Sequence, residues 1–224
     1  MIDFSLEQLL NELKIAFLDT FLMCGISIVI SSILGLALGL FIFITHEGLF
    51  WENKILNFIG GFLVNIIRSI PFIILLVVLL PFTKLIMGTT IGSLAATVPL
   101  SIASTAFFAR LVESSLCEVD KGVIEAARAI GSRNFTIVKD VLLPEALPGI
   151  YRGLTIMAIG LLANSANAGM VGGGGVGDLA IRFGYYRYQT NVMVITSVLL
   201  IILVQIIQSL GDLIAKQSEK KQLN

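Results

Sequence analysis

The sequence is short of charge, histidine and cysteine, and each shortage excludes something. Only 13% of its 224 residues are Asp, Glu, Lys or Arg while 56% are hydrophobic, and the mean hydropathy is +0.95. Soluble domains carry about 25% charged residues, so this composition excludes one and makes a bilayer the natural solvent. A single histidine, His46, and two cysteines without ligand spacing, Cys24 and Cys117, give no metal centre. Both thiols read as unpaired. Fifteen basic residues balance fifteen acidic ones, so there is no basic field for nucleic acid. No G-x-x-x-x-G-K-[ST] occurs, so the chain has no phosphate cradle of that kind and any ATP must be held elsewhere. The stretch Gly172 to Gly177 fits G-x-G-x-x-G formally, but it trails an apolar helical run where a dinucleotide site needs a strand. It reads instead as a flexible loop on the outer face. No catalytic residue, metal ligand or bound cofactor is assigned.

Asp3, Glu7, Glu12 and Asp19 against Lys14 alone give the N-terminus the wrong sign for a cleavable signal peptide. Leu6, Leu9, Leu10, Leu13 and Phe17 recur at helical spacing and predict a short amphipathic helix on the membrane surface. A bilayer core needs about 20 apolar residues per helix. Five runs supply them, at about 21–44, 58–82, 91–112, 154–171 and 192–214. Each must be helical, since backbone groups in lipid are satisfied within their own segment and no run alternates as barrel strands do. The fold class is all-α, a single polytopic membrane domain.

Lys and Arg gather on the cytoplasmic side of a membrane. Nine lie in one set of loops (Lys54, Lys121, Arg128, Arg133, Lys139, Arg152, Lys216, Lys220, Lys221) and four in the other (Lys14, Lys84, Arg182, Arg187). The N-terminus is therefore expected outside and the C-terminus in the cytoplasm. Ser31, Gly35 and Gly39 repeat every fourth residue on the first run, and Gly92 and Ala96 do so on the third. Such spacing serves either a dimer contact or ordinary helix packing.

The segment 114–149 is polar yet periodic. Asp120 can cap a helix whose apolar positions Val123, Ala126, Ala127 and Ile130 share a stripe, with Gly131 as its left-handed end. A second helix can start at Ser132 or Asn134, carry Phe135, Val138 and Leu142 on one side, and stop at Leu143-Pro144. An apolar stripe in water costs about 25 cal/mol per Å², so a partner protein or the chain's own spans must cover it.

Glu125-Ala126-Ala127, three residues, Gly131, nine residues, Val141, one residue, Leu143-Pro144: this pattern resembles the EAA loop of ABC importer permeases, with Val141 in place of isoleucine. The resemblance implies that the helix pair seats in a groove on a separate ATPase subunit. Ala126 and Ala127 are then small for close docking, Gly131 makes the turn and Glu125 lies at the contact. Read from the residues alone, Glu125 can equally pair with Arg128 on a solvated face. Arg68-Ser69-Ile70-Pro71-Phe72, Leu80-Pro81-Phe82-Thr83, Val171 to Leu179 and Gly184-Tyr185 extend the resemblance to the five-span methionine-importer permeases. That family implies the type I ABC importer fold and a homodimer in the bacterial cytoplasmic membrane. It also implies two ATPase subunits holding ATP and Mg, an external substrate-binding lipoprotein, and methionine, in L and D forms, as the small-molecule substrate.

Polar groups at membrane depth face an interior more often than lipid. Arg68 either anchors the inner end of the solute's path or snorkels to the interface. Asn164, Ser165 and Asn167 either line that path or bridge spans by hydrogen bonds. Arg110 and Glu113, three apart, are expected to pair locally. A permease for another amino acid or small polar solute is the alternative within the class. An ion-coupled secondary transporter would show more spans and intramembrane acids, and a scaffold would not need the glycine-punctuated loop.

Overall fold

A computed structural model describes residues 6–222; Asp3 lies outside them, and the side chains of Leu6 and Lys221 are not described. Among the described residues every regular element is helical. Four helices among the described residues are long and apolar enough to cross a membrane, and the count there reaches five if one bent pair is a single span.

Helix α1 runs unbroken over Leu6–Ile44, 39 residues. The expected surface helix is therefore only its first turns. Gly25, Gly35 and Gly39 stand singly and no proline falls between Leu6 and Ile44, so nothing interrupts the backbone ladder. The run expected at 58–82 is divided instead into α2 (Lys54–Ser69), α3 (Phe72–Val78) and α4 (Leu80–Met87). Pro71 has no N–H to donate and disfavours helix at Ile70; its carbonyl accepts from Ile74 and Leu75 at 2.9 and 3.0 Å and starts α3 afresh. Helix α5 (Ser93–Cys117) keeps Pro99 within it.

Helix α6 (Lys121–Ala129) is the first helix of the polar segment, and the second begins at α7 (Asn134–Thr136). It does not stop at Leu143-Pro144. A wide π turn over Ile137–Leu142 carries it into α8 (Leu143–Ala168), with Leu143 itself helical at φ −64°, ψ −47°. The Leu143 N–H reaches the carbonyl of Val138, five residues back. That widened turn sits where a proline ring would otherwise meet the preceding backbone, which is why the chain tolerates Pro144. After α8 come a second wide turn (Gly169–Gly173), α9 (Val176–Leu179), a third (Ala180–Tyr185) and α10 (Thr190–Gln222).

The chain forms two compact units and passes between them within α1, α5, α8 and α10 and at the break between α2 and α3. The first takes the chain up to Ile30, Ile70–Ser104 and Ala158–Ile207; the second takes Ser31–Ser69, Thr105–Met157 and the chain from Gln208. In the first, Met23, Leu76, Leu100 and Leu161 form one buried cluster, and Ala16, Val176, Leu179, Phe183 and Val192 another. In the second, Ile42, Val64, Ala106 and Ala109 pack together.

Gly35 and Gly39 belong to that second unit and decide between the two readings of the small-residue repeat. A Cβ on Gly39 would stand 2.4 Å from the Ala109 carbonyl, and one on Gly35 2.9 Å from the Phe108 ring. They seat α1 directly on α5 within one chain. Adding a methyl at Gly39 cannot be absorbed by a side-chain rotation, because the obstacle is backbone, and overpacking of this kind costs about 1–3 kcal/mol. Gly39→Ala is expected to lower the apparent Tm of the detergent-solubilised protein. Gly25→Ala, where a Cβ meets nothing within 4 Å, should leave it unchanged; equal effects would contradict the close approach.

Candidate functional site

The α6–α7 elbow is built by local chemistry. The Asp120 carboxylate accepts from the Gly122 N–H at 2.7 Å and caps α6. At the other end Gly131 adopts φ +79°. Its N–H bonds the Arg128 carbonyl at 2.9 Å while the Ser132 N–H bonds the Ala127 carbonyl at 3.2 Å. These two bonds make a Schellman end, which closes the helix and turns the chain. The elbow is thus held by its own backbone.

Its faces differ from the stripe expected in the sequence. Ile124 and Ala127 are the buried positions of α6, and Ile137, Val138 and Leu142 those of the next helix. Val123 and Ala126 face outward, Ile130 is 82% exposed and Phe135 68% exposed. Val141 and Leu143 are half-buried and Pro144 is exposed. The stripe is therefore split: one edge packs on the chain, and the other leaves two large apolar side chains flanking Gly131.

Glu125 is exposed, and no ion pair joins it to Arg128 among the described residues. The guanidinium of Arg128 lies instead 5.0 Å from the centre of the Phe50 ring, a cation–π contact. Asn134 Nδ2 donates to the Phe50 carbonyl at 3.1 Å. Both halves of the elbow are thereby braced against the loop that joins α1 to α2. Between that loop and α6 lies an open cavity of about 500 Å³ lined by His46, Glu47, Lys121, Glu125 and Arg128.

Beneath it is a network that pattern reading caught only in part. Glu113 is buried, yet its carboxylate accepts from Arg110 Nη1 at 2.5 Å, as the spacing led one to expect, and lies 3.1 Å from His46 Nε2. Arg110 Nη2 also donates to Asn65 Oδ1 at 2.8 Å. A buried carboxylate with two partners is stable only while both remain. His46, which looked solitary, is one of them; the only clue in the sequence was an acid at the end of an apolar run.

In the first unit the glycine-rich segment is close-packed, contrary to the flexible loop expected. Gly169 backs onto Asp178, Gly177 onto Ala166, and Gly175 onto Met23 and Thr20. The Val176 N–H donates to Thr20 Oγ1 at 2.9 Å, a buried bond to α1. Arg182 lies 3.4 Å from both Glu12 and Asp178. Burial pushes the Asp178 carboxyl above its ordinary range, Arg182 offsets part of this, and Glu12 and Asp19 push it further. Ser165 is buried and donates to the Leu162 carbonyl at 2.6 Å, while Asn164 and Asn167 are half-buried on the same helix end. Arg68, in the other unit, is exposed in the last turn of α2. Cys24 and Cys117 are free thiols, one buried and one exposed.

The arrangement defines a polytopic all-helical membrane protein with a rigid two-helix elbow. Residues 31–222 match the model of the binding-protein-dependent transport system inner membrane component, and the chain belongs to that family. It is 47% identical over 203 residues to the probable D-methionine transport system permease protein MetI of Vibrio cholerae, covering 91% of this chain and 90% of that one. Against the methionine import system permease protein MetP of Bacillus subtilis it is 46% identical over 180 residues, 80% and 81% of the two chains. Among solved structures it resembles the inward-facing MetNI methionine ABC transporter at 42% identity and a TM-score of 0.92, over 96% of this chain and 99% of that one. An amino acid ABC transporter crystallised with histidines shares the fold, at 20% identity and a TM-score of 0.79, over 97% and 99% of the two chains. The fold is that of a type I ABC importer permease, and the chain is a transport subunit of the inner membrane.

The Glu113 network gives a direct prediction. Glu113→Gln should leave Arg110 without its charge complement, weaken the contact with His46 and cost about 2 kcal/mol. The solubilised variant is expected to melt lower than wild type, and His46→Gln, which keeps an amide donor at that position, should cost less. An unchanged melt for E113Q would show that the pair contributes nothing.

Proposed function

We propose that this chain is the membrane permease of an ATP-driven methionine importer, working as a homodimer above two ATPase subunits and fed by an external binding lipoprotein. The ATPase subunits hold the ATP and Mg. The N-terminus lies outside and the C-terminus in the cytoplasm, a reading supported by the nine-to-four division of basic residues. Relatives named for D-methionine transport on both sides of 45% identity support the substrate.

The observation that carries the reading is the elbow. Ile130 and Phe135 are exposed on either side of Gly131, at the tip of a turn rigidly closed by two backbone bonds. Arg128 and Arg133, each within three residues of Gly131, are exposed as well. A rigid, exposed apolar tip of this kind fits a groove on a protein partner. Glu125, free of Arg128, is available to that partner, with Ala126 small enough for close approach and Ala127, Val141, Leu143 and Pro144 fixing the elbow to its helices. Alternating access then follows if the ATPase grips the elbow differently in its open and closed states, since only differential affinity shifts a conformational equilibrium. Arg68, Asn164, Ser165 and Asn167 are assigned to the solute's path.

Gly131→Val puts a β-branched residue at φ +79°, which costs about 1–3 kcal/mol, and Ile130→Asp charges the tip. Each is expected to lower methionine uptake about tenfold, the equivalent of ~1.4 kcal/mol of coupling, with membrane levels near wild type on immunoblots. Glu125→Gln should do so more weakly. Wild-type uptake by both strong variants would sink the docking role.

A further inference from the structure

Thr83, on α4, is 2% exposed and its Oγ1 has no hydrogen-bond partner among the described residues. Buried hydroxyls are rarely left so, because the lost hydration is not recovered. The hydroxyl lines a chamber of about 10 Å³ whose walls include Leu76, Leu80, Ala95, Pro99 and Gly173. Pro99 lies inside α5 and has no N–H to give the carbonyl of Ala95 one turn earlier. Thr83, with its unpartnered hydroxyl, and Ala95, whose carbonyl loses its usual helix donor at Pro99, therefore line the same chamber. Both can accept, and a carbonyl can do nothing else.

At about 10 Å³ the chamber has room for one water and for no amino acid. What keeps it small is the glycine segment. A Cβ on Gly173 would stand 3.2 Å from the Ala96 methyl, and Gly172 and Gly174 flank it at φ +88° and +73°. The Gly92 N–H fastens this wall through a single bond to the Gly172 carbonyl, 2.9 Å. A bare backbone held by this one bond to the residue just before α5 is a wall that can withdraw without dragging side chains through the core.

We propose that this chamber is the closed form of a subsite on the solute's route, which takes the primary ammonium of an apolar amino acid on Thr83 Oγ1 and the Ala95 carbonyl. The leucine walls suit the apolar side chain of such a solute, as apolar linings with a few placed polar groups do in general. The proposal rests on the importer reading above and adds a residue, Thr83, that touches the solute.

The test uses the whole transporter in proteoliposomes, with its ATPase subunits and binding protein. Thr83→Val keeps the shape and removes the hydroxyl; methionine uptake should fall about tenfold at saturating binding protein, as expected for losing one hydrogen bond to a charged group. Thr83→Ser should restore uptake to near wild type. As a second measurement, Thr83→Cys in a chain with Cys24→Ala and Cys117→Ser is exposed to a small permeant thiol reagent during ATP turnover. Methionine should slow its labelling several-fold, and the same acid lacking the amino group should not. T83V uptake equal to wild type, or T83C labelling indifferent to methionine, would overturn the proposal, and a chamber that merely holds a water gives that result. A wild-type complex that takes up no methionine would overturn the importer reading itself, whereas active wild type beside equally active T83V removes the subsite alone.

Discussion

In an apolar solvent every backbone N–H and C=O must find its partner inside the protein, and the architecture of this chain follows from how it meets that demand where helices break. Long helices satisfy it by themselves. At Ile70–Pro71 the proline carbonyl starts the next helix within three residues. At the glycine segment, a threonine hydroxyl from α1 receives the Val176 N–H and the Gly92 N–H takes the Gly172 carbonyl. At Gly131 two backbone bonds close the helix end. Each break is therefore closed by specific hydrogen bonds, and the breaks are where the chain departs from a plain bundle.

Much of this was legible beforehand, and the limits were physical. Composition and run length gave an all-helical membrane protein because lipid leaves few alternatives. The elbow was legible because Asp120 and Gly131 act locally, through a cap and a left-handed dihedral that neighbouring residues alone determine. Pro144 misled for the complementary reason: a proline's local preference yields when a π turn widens the backbone ahead of it, and that accommodation belongs to the packing of Ile137, Val138 and Leu142. Pro71 was not recognised as ending a helix within its apolar run, because hydropathy sums over a window and does not register the direction of the chain.

Helix-face assignments failed where two faces were both apolar. Val123 and Ile124 are adjacent hydrophobic residues on α6, and only the surrounding helices decide that Ile124 is buried and Val123 is not. The same holds for Gly35 and Gly39, whose spacing fits contact with any second helix; the helix turned out to be α5 of the same chain. His46 shows the remaining blind spot. It and Glu113 are 67 residues apart, and no local pattern announces a pair that only tertiary packing creates.

The braces on the elbow bear on how force would travel from it. Arg128, on its first helix, and Asn134, at the start of its second, both hold Phe50. Phe50 belongs to the α1–α2 loop, which is itself tied down by Trp51 to the Ile44 carbonyl and by Asn53 to that of Thr45. Asn53 also caps α2, accepting from the Ile55 and Leu56 N–H groups at 3.1 and 3.0 Å. A displacement of the elbow is thus delivered to the end of α1 and the start of α2 as well as to α8, with which it is continuous. One short turn can then move three helix ends together, whereas a loop tethered only at its own two ends would move none of them in concert. Small shifts at such a joint are amplified because close-packed segments switch between discrete arrangements and do not deform continuously.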